Sequence, residues 1–290
     1  MSVAVAMTVC GGSIAPLATA AIRSIHRSLK RHQYDATLFL LHDGAEATRM
    51  IMSIWSEARA ANLTRLTVRE VLVDSSAPGA KLFKLCSTVR LSLPTLLPHV
   101  ELAIYLDADI IVEGDLRELF GTSSQFNTTQ WMALTAEDGH WYTHSRHAHQ
   151  NVHQNQTKHT DFYGATGLNA GVFLANLTRW RLSAFDGFNR AFLGQGYYTP
   201  LGDQDIMNAY FSEHPDEVLV LPCKWNQRTD SSCSHQGRFA ADGIYHGNRQ
   251  VFTRVNSTIP PDSTYQKHVF QLLARVEGYP LDVDSEAISS

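Results

Sequence analysis

The chain has 290 residues, 44% of them hydrophobic and 18% charged, with a formal net charge of −4. This composition is that of a globular protein large enough for one α/β domain with a substantial core, and it excludes an intrinsically disordered chain. The mildly acidic balance and the absence of any Lys/Arg cluster exclude nucleic acid and an anionic membrane surface as main partners, which leaves a small or glycan-like ligand as the expectation.

Strand-like runs at 3–9, 37–42 and 66–73 alternate with helical patterns. After Pro16, Leu17, Ala21, Ile25 and Leu29 recur every four residues, and the stretch 51–60 follows the second strand. This β-α-β-α punctuation predicts a mostly parallel central sheet with helices on both faces, and ligands that bind beyond the carboxyl ends of the strands. A helix over 82–97 leads into an apolar run from 102 to 112, which reads as a strand buried on both faces. A further strand is expected at 131–136. The polar segment 137–166 then carries His140, His144, His147, His149, His153 and His159. Their irregular spacing among Asn and Gln residues favours a solvated loop over a metal cluster. Strand character resumes at 168–177, helices are expected to about 192 and over 203–211, and 218–222 is the last clear strand. With no linker or internal repeat, residues 1–290 read as a single domain.

The run 102–112 contains "YLDADIIV", in which Asp107 and Asp109 interrupt apolar sequence. Two carboxylates at i and i+2 of an extended chain point the same way, and each raises the pKa of the other unless a cation lies between them. A solvated strand end is one explanation. A hard divalent cation is the other, since oxygen ligands at this spacing suit Mg²⁺ or Mn²⁺. Replacing either aspartate is expected to leave the fold intact and, by relieving repulsion, to stabilise the protein without metal.

Four cysteines, at 10, 86, 223 and 233, lack the C-x-x-C spacing of zinc or thioredoxin-type sites. Cys223 and Cys233 are close enough in sequence to bridge, or are two buried thiols. Five N-x-Thr sequons, at Asn62, Asn127, Asn155, Asn176 and Asn256, favour a chain of the secretory pathway. The apolar "SVAVAMTV" after Met1 is too short to span a bilayer and reads as the first strand. Either the chain is cytoplasmic, or an N-terminal anchor and stem precede these residues.

Six stretches together resemble the retaining glycosyltransferases of the glycogenin and galactosyltransferase type, family 8: "RLSLPTLLP" (90–98), "YLDADIIV" (105–112), "GLNAGVFLANLTRWR" (167–181), "GDQDIMNAYF" (202–211), "LPCKWN" (221–226) and "HGNRQVF" (246–252). Within that family, "KLFKLCSTVRLSLP" (81–94), "CKWNQRTD" (223–230) and "HGNR" look most like glucoside xylosyltransferases. The resemblance implies a GT-A type nucleotide-sugar-binding fold and transfer of xylose from UDP-xylose to an O-linked glucose on EGF-like repeats. It implies an α-linkage, and a Golgi or endoplasmic reticulum enzyme of type II topology.

By the same resemblance, Asp107, Asp109 and His246 bind Mn²⁺, which imidazole suits better than it suits Mg²⁺. Cys10 and Gly11 hold uracil through their backbone, and Lys84, Arg90, Ala108, Gly247, Asn248 and Arg249 complete the nucleotide-sugar site. Arg90 also pairs with Asp107, and Arg249 substitutes for the lysine that many relatives carry after the histidine. Asn169 and Gly171 lie beside the donor sugar, Asp203 bonds its hydroxyls, and Gln204 sits beneath the anomeric carbon. Asp205 reads as a helix cap. Since a neutral amide is a poor nucleophile, a front-face reaction is expected in place of a double displacement through Gln204. Glu137, Trp225 and Asn226 are the candidates for the acceptor side, with a core position as the competing reading for Trp225. The alternatives are a UDP-glucose- or UDP-galactose-dependent enzyme of the same family, and a catalytically weak relative that only binds nucleotide sugar or glycan.

Overall fold

The computed structural model describes residues 2–10, 14–44, 65–73, 88–137, 142, 160–195, 197, 199–228, 242–247, 271–272 and 276. Strands β1 (Val3–Val9), β2 (Ala36–His42), β3 (Leu66–Leu72), β4 (Leu102–Leu106), β6 (Met132–Ala136), β7 (Leu168–Asn176) and β8 (Val218–Leu221) form one sheet in the order β3-β2-β1-β4-β7-β6-β8. β7 is antiparallel to both β4 and β6, and the other pairings in this sheet are parallel, so every strand but β7 runs in one direction. The carboxyl ends of β4, β6 and β8 therefore share an edge with the start of β7. That edge is where an open α/β sheet binds its ligand.

Helix α1 (Ala15–His32) begins with Pro16 in its first turn and ends at Gln33 in the left-handed conformation, φ 58°. Its Ala18, Ala21, Ile22, Ile25 and Leu29 pack against Val5, Met7 and Val9 on one face of the sheet. Burial of Ile25 and Leu29 contributes about 1.5–3 kcal/mol each. The opposite face carries an aromatic core in which Trp131 meets Trp180, Phe185, Tyr210 and Phe211. Helices cover this second face as well: α4 (Leu177–Leu182), α5 (Phe185–Gly194) and α6 (Asp203–Glu213).

Two expectations need correction. The run 102–112 is not one strand. It breaks after Leu106, and β5 (Ile110–Val112) leaves the main sheet to pair antiparallel with β9 (Ile244–His246), a strand too short for a sequence pattern to reveal. Of the helix expected over 82–97, the described part is a 3₁₀ turn at Val89–Ser92 followed by α2 (Leu93–Leu96), because Pro94 suits only a helix's first turn. The acid-capped α3 (Leu116–Gly121) follows β5, with Asp115 accepting from the Arg117 N–H. The helical pattern at 51–60 and the six histidines between 140 and 159 lie outside the described residues.

Candidate active site and metal centre

The break between β4 and β5 turns Asp107 and Asp109 toward β9. Ile110 pairs with His246, and the Gly247 N–H donates to the Asp109 carbonyl at 2.7 Å, so the histidine is held beside the second aspartate. One atom each from Asp107, Asp109 and His246 lies within 4.8 Å of the other two. His246 Nε2 is 3.4 Å from Asp109 Oδ1 and 3.7 Å from Asp107 Oδ2. Two carboxylate oxygens and one imidazole nitrogen form a donor set that suits a divalent cation of the Mn²⁺ kind.

The charges are not left to a cation alone. Arg90 Nη1 pairs with Asp107 Oδ1 at 3.1 Å, Arg90 Nε with Asp203 Oδ2 at 2.6 Å, and the same guanidinium donates to the Ala170 carbonyl at 2.6 Å. It lies 4.8 Å over the ring of Tyr105, whose hydroxyl donates to Asp107. Burial pushes the Asp107 carboxyl above the usual range, against the pull of Arg90. Burial also acts on Asp109, but the His246 imidazole outweighs it and holds that carboxyl below the usual range. On His246 the sign is opposite: burial disfavours the imidazolium, while Asp109 and Asp107 raise its pKa overall.

Gly171 explains how the three side chains fit. A Cβ there would run into His246 Cε1, lie 2.8 Å from its Nδ1 and 3.0 Å from Asp107 Oδ2. The glycine expected to admit a donor sugar therefore makes room for the metal cluster itself.

A second set of polar groups stands behind the cluster. Asn169 Nδ2 donates to Glu137 Oε2 at 2.7 Å, and its Oδ1 accepts from the Gly171 N–H at 3.0 Å and from Asn226 Nδ2 at 2.7 Å. Gln204 accepts from the Ala170 N–H at 3.0 Å and donates to the same Glu137 oxygen at 3.1 Å. Arg228, fully buried, pairs with Glu137 Oε1 at 3.5 Å and donates to the Glu137 carbonyl. At the head of α6, Gly202 takes a φ of 63°, Asp203 reaches Arg90, and Asp205 accepts from Leu201 N–H and the Tyr142 hydroxyl. Burial raises the Asp203 carboxyl to about 7 and the Asp205 carboxyl to about 6.

Several assignments change. Trp225, 3% exposed, lies in the hydrophobic core, so it supports the site and does not face an acceptor. Asn226, 1% exposed, is engaged with Asn169 and His246, and Glu137 is buried under Arg228, Asn169 and Gln204. Asp203, 2% exposed, braces Arg90 in place of standing open to a sugar hydroxyl. Ala108 points into the core. Cys10, at the end of β1, is in a disulfide, as is Cys223, so a backbone contact is what remains available to Cys10 for a base. Cys10, Asp107, Asp109 and Gln204 are the part-exposed members of the set among the described residues. Gly11, Lys84, Asn248 and Arg249 lie outside the described residues. Sequence reasoning overlooked Tyr105, Asn208 and Arg228. Asn208 holds both the Leu168 N–H and the Leu168 carbonyl at the start of β7. The signal for Arg228 was a charge just past an apolar strand, in the quoted "CKWNQRTD".

The sequence profile described as glycosyl transferase family 8 matches residues 14–243. Mouse glucoside xylosyltransferase 1 is 34% identical over 203 residues, 62% of this chain and 46% of that protein. Mouse glucoside xylosyltransferase 2 is 30% identical over 231 residues, 70% of this chain and 48% of that protein. The chain thus spans about half the length of the curated relatives it matches. Among solved structures, apo mouse xyloside xylosyltransferase 1 superposes with a TM-score of 0.62 at 20% identity, over 86% of this chain and 99% of that one. The galactosyltransferase LgtC with donor and acceptor sugar analogues gives 0.59 at 16% identity, over 96% and 98%. These two likenesses identify the fold as that of GT-A glycosyltransferases.

Proposed function

Because the chain belongs to glycosyl transferase family 8, we propose that it transfers xylose from UDP-xylose to an O-linked glucose on a protein acceptor of the EGF-like-repeat type, with retention of the anomeric configuration. The observation that carries the reading is the meeting of a metal-ligating trio with a part-exposed Gln204 at the carboxyl edge of the sheet. The names of the most similar curated relatives support xylose and a glucoside acceptor.

The chemistry follows from what these side chains can do. Asp107, Asp109 and His246 would hold a divalent cation, which would supply Lewis-acid stabilisation of charge on the departing diphosphate. Arg90 aims Asp107 and favours its charged form, opposing the burial that favours the neutral one. Gln204 is clamped at both ends of its amide, by Ala170 N–H and Glu137, so its dipole is oriented before substrate arrives. A neutral amide so held is suited to steady oxocarbenium-like charge and unsuited to attack. Retention then requires the acceptor hydroxyl to approach from the face the phosphate leaves.

The disulfides at Cys10 and Cys223 and the exposed sequon at Asn127 support an oxidising secretory lumen, the Golgi or endoplasmic reticulum. The deciding experiment is UDP release across UDP-xylose, UDP-glucose and UDP-galactose, with free glucoside and O-glucosylated EGF repeat as acceptors. Rejecting the hydroxymethyl group of glucose is worth roughly ten- to a hundredfold in kcat/KM. Equal use of UDP-glucose transfers the reading to a glucosyltransferase, a β-linked product overturns retention, and no release with any donor leaves a binding protein.

A further inference from the structure

We propose that Asn226 is a positioning residue that locks His246 in the tautomer able to bind a divalent cation, and that the lock is anchored on the main chain of β7. The inference rests on reading Asp107, Asp109 and His246 as a metal site.

Direction in this network is set by groups that have no choice. A backbone N–H only donates, so the contact from Gly171 N at 3.0 Å makes the Asn169 oxygen an acceptor and leaves its NH₂ for the Glu137 carboxylate, 2.7 Å away. Asn226 meets that same Asn169 oxygen at 2.7 Å and must do so with its own NH₂. Its oxygen is then the atom 2.9 Å from His246 Nδ1. An amide oxygen only accepts, so Nδ1 carries a proton and Nε2, which faces Asp109 and Asp107, is the nitrogen left to give its lone pair to a cation held between them. The opposite tautomer would place an N–H in the space between the two carboxylates, where a cation has to lie. With Asn226 and His246 both buried, solvent has little access to replace this partner. The second anchor, Gln204, is held by Ala170 N–H and donates to the same Glu137 oxygen as Asn169, so two successive amides of β7 orient the whole chain of bonds.

The test separates acceptance from donation at position 226. Mn²⁺ affinity is measured by calorimetry on the full chain without nucleotide, and UDP-sugar affinity afterwards with Mn²⁺ saturating. Asn226→Leu removes both bonds and is expected to weaken Mn²⁺ about 10- to 100-fold, the usual effect of losing a metal ligand's outer partner. Asn226→Asp still accepts from Nδ1–H but sets a carboxylate against the Asn169 oxygen. It is expected to keep Mn²⁺ affinity near wild type and to lose donor affinity. Equal weakening of Mn²⁺ in both variants, which a merely structural role produces, overturns the inference. So does wild-type Mn²⁺ affinity in Asn226→Leu. If Leu fails to fold, loss of Mn²⁺ binding by folded Asn226→Asp does the same. Asp109→Asn is the control: if it binds Mn²⁺ as the wild type does, the metal reading itself is wrong and this inference falls with it.

Discussion

Asp107 lies between the Arg90 guanidinium at 3.1 Å and the His246 imidazole at 3.7 Å, and this changes what its removal should do. Repulsion from Asp109 alone would make Asp107→Asn stabilising, as the sequence suggests. The structure shows the repulsion already offset. Asp107→Asn leaves the buried Arg90 with Asp203 as its one carboxylate partner among the described residues, and is predicted to lower the unfolding free energy by about 1–2 kcal/mol in urea titrations without metal. The same variant should lose the rise in Tm that Mn²⁺ plus UDP gives the wild type. A stabilised apo variant would show that the Arg90 pair is worth less than the repulsion. Gly171→Ala inserts a methyl among His246 and Asp107 within a buried strand, so Mn²⁺ affinity should fall sharply, with about 1–3 kcal/mol of overpacking cost. Unchanged Mn²⁺ binding by that variant would mean that the trio is not the site.

At the scale of elements, the reversal of β7 is what assembles the site. Running against β4 and β6, it begins where they end, so Asn169 and Gly171 lie beside Asp107 and Glu137. The far end of β7 has a different consequence. Asn176 ends the strand and caps α4, its Oδ1 accepting from Arg179 N–H at 2.9 Å, while its strand neighbour in the sheet is Leu102. Asn127 instead lies in an exposed turn after α3, its Oδ1 accepting from the Thr129 hydroxyl and N–H at 2.9 Å. Expression through a eukaryotic secretory pathway should therefore place a glycan on Asn127 in preference to Asn176. Glycopeptide mass mapping checks this, and occupancy at Asn176 alone would contradict it. Asn176→Ala should cost about 1 kcal/mol as a lost cap.

For the molecule as a whole, Asp205 ties stability to pH. Burial raises its carboxyl from 3.8 to about 6, against the Leu201 N–H and the Tyr142 hydroxyl that favour the charged form. Between those values the folded state holds a proton that the unfolded state has released. Its contribution is therefore complete below about pH 4 and is lost as pH rises through 6. Asp205→Asn does not titrate. Its unfolding free energy relative to wild type should improve by up to about 3 kcal/mol from pH 4 to pH 7, and a difference independent of pH would show that Asp205 stays ionised throughout. The sequence by itself determined the alternation of strands and helices, the two-sided core and which residues have the chemistry for a metal and a sugar, because period and residue type are local properties. Those same local properties do not say where a chain turns between sheets. Only the tertiary structure decided that the run 102–112 splits at Asp107, that residues 244–246 pair with it, and that Gly171 serves the metal cluster. It also decided that Trp225 and Asn226 face inward: their environment is made by residues 114, 169 and 246, more than twenty positions away for two of the three, and burial is a property of that contact and not of the side chain.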